Sequence, residues 1–255
     1  MEGFFNWEAK GIEMLKVILT VDCEKFISFR QISPRWGRFE KFKGRINSLI
    51  KKFRYNENGF DIVYSTFAEK NVPVTLMLVG KIFSPKKSPK FISWGYHTLN
   101  HLPLTLLEED LIRKEVKNVY RLRNFCAPLW MIEDVNSPEK VFDVLREEEY
   151  KNIIYKGEDD GPKNHSHKLN ISRVIKRNGL NLLWVSNNFE GNSSEEHLKK
   201  VMDEIEKHHN EDKIYLLTTH DFTHKDNKNL VRVLDFLKKL EEKNKIRIES
   251  MENIK

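Results

Sequence analysis

Leu15-Lys16-Val17-Ile18-Leu19-Thr20-Val21-Asp22-Cys23-Glu24 is the stretch that decides the fold. Its first seven residues are too uniformly apolar to alternate, which predicts a strand covered on both faces, as in a parallel sheet flanked by helices. Strand period two sends Asp22 and Glu24 to one face and Cys23 to the other. Acids at the carboxyl end of a buried strand stand where α/β folds build their sites.

Working outward, strand-like apolar runs recur over 72–80, 91–96, 124–129, 152–155, 180–185, 214–218 and 246–248. Helical patterns lie between them, over 44–52, 60–70, 105 to about 121, from 137, 193 to about 208, and 230–240. Thr105 to Glu108 has capping-box spacing, and Ser137-Pro138 and Ser193-Ser194-Glu195-Glu196 mark two further helix starts. Strand–helix units repeated in this way predict a parallel sheet, and seven or eight of them in one domain over 1–255 favour a closed or nearly closed barrel.

Two further apolar runs end in titratable residues. Trp94-Gly95-Tyr96-His97-Thr98-Leu99-Asn100-His101 carries two imidazoles four residues apart, which share a face if the segment is helical. Neutral imidazole is the commonest metal ligand, so His97 and His101 with an acid from the first strand can hold a divalent cation. Lys213-Ile214-Tyr215-Leu216-Leu217-Thr218-Thr219-His220-Asp221 ends in a His-Asp pair, and an imidazole there can serve as a general acid. His165 and His167 in the irregular 157–168 loop read as polar loop residues.

Composition narrows the function. The chain of 255 residues is 39% hydrophobic and 32% charged, enough for a substantial core under a heavily solvated exterior. A net charge of +6 is spread over helices that also carry glutamate, without a compact basic motif interleaved with aromatics. No nucleic-acid partner is therefore expected. No run approaches the ~20 apolar residues that span a bilayer, so no membrane partner is expected. Cys23 and Cys126 are too few for a disulfide framework, and residues 1–16 do not read as a signal peptide, which together predict a cytoplasmic setting. The basic and aromatic 25–36 segment, with Arg30, Arg35 and Trp36, reads as a long loop over the mouth of the site.

Taken in order, these pieces resemble the polysaccharide deacetylase family, the NodB-homology or carbohydrate esterase family 4 proteins. Val21-Asp22-Cys23-Glu24 looks like the family's acidic motif with one residue between the acids. The run from Val72 to Gly80, His97-Thr98-Leu99-Asn100-His101, the helix with Glu115, Asn124-Phe125-Cys126-Ala127-Pro128 and Leu216 to Asp221 follow in the family's order. The resemblance implies an α/β fold, a distorted (β/α) barrel of about seven strands, and a divalent metal, usually zinc. It implies Glu24, His97 and His101 as metal ligands, Asp22 as catalytic base and His220 as the acid that protonates a leaving amine. Pro128, Trp130 and Trp184 would then bind the substrate, a small molecule or oligosaccharide.

Two departures from the pattern bear on turnover. Cys126 stands where the family has the arginine that holds the catalytic carboxylate, with Arg123 three residues away. Asn187 and Asn188 stand where an aspartate would orient the final histidine, so His220 is expected to lack a charged partner unless Asp159, Asp160 or Asp221 supplies it. The expected activity is removal of an N-acetyl or similar N-acyl group from an amino sugar or related C–N bond substrate. The alternative is a non-catalytic metal- or carbohydrate-binding barrel that has lost turnover.

Overall fold

The first strand is the hub of the sheet. The computed structural model describes residues 14–24, 58–102, 104, 107–130, 132, 138–155, 171 and 173–254. The expected 25–36 loop, the 44–52 helix, the 157–168 loop and the start of the helix at 137 lie outside the described residues. In chain order the strands are β1 (Leu15–Cys23), β2 (Val74–Leu78), β3 (Ile92–Tyr96), β4 (Asn124–Cys126), β5 (Asn152–Tyr155), β6 (Ile175–Arg177), β7 (Leu180–Trp184), β8 (Asn187–Asn188), β9 (Ile214–His220) and β10 (Ile246–Glu249). The helices are α1 (Gly59–Lys70), α2 (Glu109–Val116), α3 (Pro138–Glu147), α4 (Glu195–Lys207) and α5 (Lys228–Glu242).

Sheet order is β6-β7-β5-β4-β3-β2-β1-β9-β8, and every neighbouring pair is parallel except β6 with β7. The hydrogen-bonded ladder does not close, but the chain does. Only Val185 and Ser186 separate β7, paired with β5, from β8, paired with β9. Ser186 donates its N–H to Leu216 O at 2.9 Å and accepts from Leu216 N through its hydroxyl at 3.0 Å. This bent segment thus joins the two ends of the ladder, giving the distorted (β/α) barrel of α/β class that the strand count predicts. Its staves are β1, β2, β3, β4, β5, the β7–β8 segment and β9.

One edge of β1 is shared. Leu15 to Ile18 pair with β10, and Thr20 to Cys23 pair with β2. The chain beyond β10 runs beneath the barrel, where Ser250 Oγ meets Ser93 Oγ at 2.9 Å. Asn181, Asn152 and Asn124 form a buried ladder there: each donates its Nδ2–H to the next, at 2.8 and 2.9 Å, and Asn124 donates to Glu252 at 2.7 Å.

Helices cover the outside. The buried positions of α5, Leu230, Val233, Leu234, Leu237 and Leu240, follow helical spacing and pack on the outward side of β1 and β9. Each such side chain contributes about 1.5–3 kcal/mol on burial. Ile112 and Val116 of α2 and Phe142 and Leu145 of α3 cover β4, β5 and β7. Among the described residues no helix is long and apolar enough to cross a membrane.

Several boundaries differ from the sequence expectation. The helix expected from 105 to about 121 is the shorter α2, because Asn118 turns the chain by exchanging side-chain hydrogen bonds with both N–H and C=O of Leu122, each at 2.8 Å. The strand expected over 124–129 ends at Cys126, since Pro128 has no N–H for the ladder and begins a short 3-10 turn, Pro128–Trp130. β6 was not expected. It pairs with β7 through Asn178 (φ 49°) and Gly179 (φ 79°), an Asn-Gly pair with both residues left-handed, the local signal of a tight hairpin.

Candidate active site

Strand parity sorts the barrel into an inside and an outside. Ile18, Met77, Cys126, Ile154, Leu183 and Leu216 form one interior cluster, whereas Val17, Leu19, Val21 and Cys23 pack outward under the helices. By the same parity Asp22 and His220 point inward above the apolar layer, in register on adjacent strands. Glu24 follows immediately after β1, and its N–H donates to Asp221 Oδ1 at 3.0 Å. Gly95 leaves room in this interior, for a Cβ there would lie 2.2 Å from Met77 Sδ.

His97 follows β3 directly, with its N–H donating to Leu78 O at 2.8 Å. His101 does not reach the site through a helical turn, as its spacing suggested. The segment is a loop in which Thr98 (φ 61°) and His101 (φ 57°) are left-handed. Such backbone costs a few kcal/mol at most per residue, of order 1–3, and persists only where the surroundings enforce it. Here Gly80 N–H donates to Thr98 O and Lys81 N–H to Leu99 O, both at 2.9 Å, while α2 holds the other side. The result brings the two imidazole rings to a centroid separation of 4.8 Å.

The side chains named from the sequence converge. Glu24 Oε1 lies 2.9 Å from His101 Nε2, 3.3 Å from His97 Nε2 and 3.9 Å from His220 Nε2. Asp22 Oδ2 lies 3.9 Å from His220 Nε2. Ligand atoms of Glu24, His97 and His101 all fall within 4.8 Å of one another, as do those of Asp22, Glu24 and His220 and those of Asp22, His97 and Cys126.

This donor set fits a divalent cation. His97 Nδ1–H donates to the Cys126 carbonyl at 2.8 Å, which leaves Nε2 as the nitrogen that faces Glu24. An imidazole lone pair and a carboxylate oxygen at 3.3 Å repel unless a positive charge lies between them. His101 Nε2 is buried and faces Glu24 Oε1 at 2.9 Å, and Asp22 Oδ1 is buried without a hydrogen-bond partner among the described residues. Burial opposes charge on Glu24, yet the imidazoles of His101, His97 and His220 hold its carboxyl well below the usual carboxylate range.

His220 has the charged partner that the sequence seemed to deny it. Glu190 Oε1 accepts from His220 Nδ1–H at 2.7 Å, and Glu190 Oε2 accepts from Thr223 Oγ1 at 2.9 Å. Asn187 and Asn188 do not take this place: Asn187 donates to Glu204 at 2.8 Å. Asp221 turns to the Glu24 and Phe222 amides instead, and Asp159 and Asp160 lie outside the described residues. Burial pushes the His220 pKa down, but the Glu190 carboxylate, helped by Glu24 and Asp22, outweighs it and holds the pKa well above the ordinary imidazole value. The local signal for Glu190 was a lone acid beside Gly191, two residues past the expected position.

At the arginine position the site is uncharged. Burial, followed by the Asp22 carboxylate, pushes the Cys126 thiol well above its usual range, so Cys126 meets Asp22 as a neutral group. Arg123 is exposed at the opposite end of β4. Pro128 is buried in the turn after β4, and Trp130, left-handed at φ 54° and 6% exposed, packs with Cys126 at the top of the interior cluster. Trp184 ends β7, half-buried, on the side that packs against the outer cluster around α2 and α3.

No family model matches the sequence, and no curated protein matches it. Solved structures do match. A provisionally named polysaccharide deacetylase from Mycobacterium smegmatis superposes with a TM-score of 0.59 at 15% identity, over 95% of this chain and 89% of that one. Puue allantoinase matches with a TM-score of 0.56 at 9% identity, over 96% and 90% of the two chains. A GH57-type branching enzyme from Pyrococcus horikoshii matches with a TM-score of 0.52 at 10% identity, over 94% of this chain and 69% of that one. At these identities the likeness is one of architecture, and the architecture is the one that the motif order called for: the chain has the fold of the polysaccharide deacetylases.

Proposed function

We propose that this chain is a metal-dependent amide hydrolase that removes an N-acetyl or similar N-acyl group from an amino sugar or a related C–N bond substrate. The observation that carries the reading is the convergence of Asp22, Glu24, His97, His101 and His220 at the carboxyl ends of β1, β3 and β9, with Glu190 behind His220. Glu24, His97 and His101 would hold the cation, with zinc the leading candidate for a nitrogen and oxygen donor set. Bound there, the cation would supply Lewis-acid polarisation of the amide carbonyl and acidify a water.

This chain's own residues then divide the proton transfers. Asp22, buried and with Oδ1 unpartnered among the described residues, accepts the proton lost by the attacking water. As the new C–O bond replaces the C–N bond, His220 delivers its proton to the departing nitrogen, and the products are a carboxylic acid and a free amine. His220 can carry that proton at neutral pH because Glu190 stabilises the imidazolium. Pro128 and Trp130 would border the substrate beside Cys126, whereas Trp184 packs on the outer side of β7.

The fold shared with the provisionally named polysaccharide deacetylase of Mycobacterium smegmatis supports a carbohydrate substrate, and the presence of Glu190 removes one of the two reasons to read a barrel without turnover. The other reason, Cys126 in place of a cation beside Asp22, stands. The test is metal content of purified protein, wild type against His101→Ala, followed by acetate release from N-acetylated amino sugars. Near-stoichiometric metal lost in the variant, with acetate released by wild type only, supports the hydrolase. Metal binding without acetate release from any N-acylated sugar favours the non-catalytic reading, and no metal uptake from zinc, nickel, cobalt or iron overturns the hydrolase and leaves a barrel with a vestigial site.

A further inference from the structure

Glu115 is 3% exposed, and among the described residues no lysine or arginine pairs with it. Its carboxylate is instead met by one residue of the histidine loop. Asn100 donates its backbone N–H to Oε2 at 2.8 Å and its side-chain Nδ2–H to Oε1 at 2.6 Å. Leu99 donates its N–H to the Glu115 carbonyl at 2.8 Å. Thr98 and Leu99 are tied on their other side to Gly80 and Lys81. Thus the three residues between the two imidazoles are clamped from both flanks, and two left-handed residues, Thr98 and His101, bracket the segment that Glu115 grips. A buried carboxylate gripping two N–H donors makes strong, directional bonds, which together with the Gly80–Thr98 contact hold a β-branched threonine in a conformation it rarely adopts.

Building on the metal-site reading above, we propose that Glu115 is the positioning residue of the His97–His101 loop, setting the affinity of the site for a divalent cation without touching that cation. A helix on the outside of the barrel would then control how well the two imidazoles face Glu24, which is what supporting hydrogen bonds do in metal sites generally.

The test is titration of metal-free protein with cobalt(II), read by visible absorption, beside thermal unfolding of the same samples. Glu115→Ala is expected to weaken cobalt binding about 10–100-fold and to change the absorption spectrum. Glu115→Gln offers one carbonyl and one amide, which Asn100 can match by flipping its own amide. It is expected to bind within about threefold of wild type, a rescue that a requirement for charge alone would not allow. Asn100→Ala leaves α2 intact and removes only the 2.6 Å bond, with an expected loss of about 3–10-fold. Wild-type affinity and spectrum in Glu115→Ala, with binding abolished in His101→Ala, overturns this proposal and leaves the metal site standing. Absence of cobalt binding by wild type overturns both. If Glu115→Ala does not fold, unchanged affinity in Asn100→Ala overturns the proposal.

Discussion

His220 Nδ1–H donates to Glu190 Oε1 at 2.7 Å, while Nε2 of the same ring faces Asp22 and Glu24, each at 3.9 Å. One imidazole therefore bridges an orienting carboxylate and the reaction side of the site. Replacing Glu190 with glutamine keeps the hydrogen-bonding shape and removes the charge. With metal content unchanged, Glu190→Gln is expected to lower kcat about 100-fold on any N-acylated substrate the enzyme turns over. The His220 pKa, followed by NMR in metal-free protein, is expected to fall toward the ordinary imidazole value. An unmoved pKa would mean that Glu190 does not stabilise the His220 imidazolium.

His224 supplies a pH signature of folding. It is fully buried, with Nε2 2.8 Å from Thr219 Oγ1. Burial pushes its pKa down to about 4, with Glu190 and Asp226 pulling up and His220 pushing down. In the unfolded chain it titrates near 6.5. Between those values the unfolded chain binds a proton that the folded protein refuses, so stability contributed by neutral His224 is present above about 6.5 and is lost as pH falls toward about 4. Urea unfolding at pH 7 and pH 5 is expected to show wild type losing roughly 2 kcal/mol more than His224→Gln over that interval. Comparing the two proteins cancels the opposite contribution of His220, whose pKa is raised.

The asparagine ladder beneath the barrel makes a stability prediction. Asn152 Nδ2 donates to Asn124 Oδ1 and to Met251 O, and Asn152 Oδ1 accepts from Asn181. Asn152→Ala strands buried groups on three elements at once. A loss of about 2–4 kcal/mol is expected, seen as a lower urea midpoint with an unchanged slope. A change below 0.5 kcal/mol would mean that water or rearrangement replaces the ladder.

Gly59 sets the turn after His220. A Cβ at this position would lie 1.9 Å from Asp221 O and 3.2 Å from Phe222 Cα, both backbone atoms that cannot rotate away. Asp221 in turn receives the Glu24 N–H. Gly59→Ala is expected to cost about 1–3 kcal/mol of stability and to weaken metal uptake, through displacement of Asp221 and Glu24. Gly179→Ala, at a position with open space around it, serves as the comparison and is expected to leave metal uptake alone.

Two features of the site are hidden from sequence periodicity for the same reason. The motif order points to Asn187 and Asn188 for the orienting acid, whereas Glu190 supplies it. The bend at Val185–Ser186 moves the chain to β9, and the turn that follows, with Gly191 N–H donating to Thr223 Oγ1, carries Glu190 back to His220. Periodicity reports a regular element and is silent about such a bend. The histidine loop misled in the same way: a spacing of four suggested a helix face, and clamps from β2 and α2 impose a left-handed loop with the same outcome.

Local chemistry determined a good deal of this protein from the sequence alone. Unbroken apolar runs ending in Asp22, His97 and His220 dictate buried parallel strands with polar carboxyl ends, because a strand covered on both faces can change character only where it leaves the sheet. Parity put Asp22 inward and Cys23 outward. What tertiary structure alone decided is which charges meet. The Glu190–His220 contact joins residues 30 apart, and Asn100–Glu115 joins a loop to a helix. Each depends on where a bent backbone delivers a flexible side chain, a matter settled by packing between elements and by no property of either residue alone.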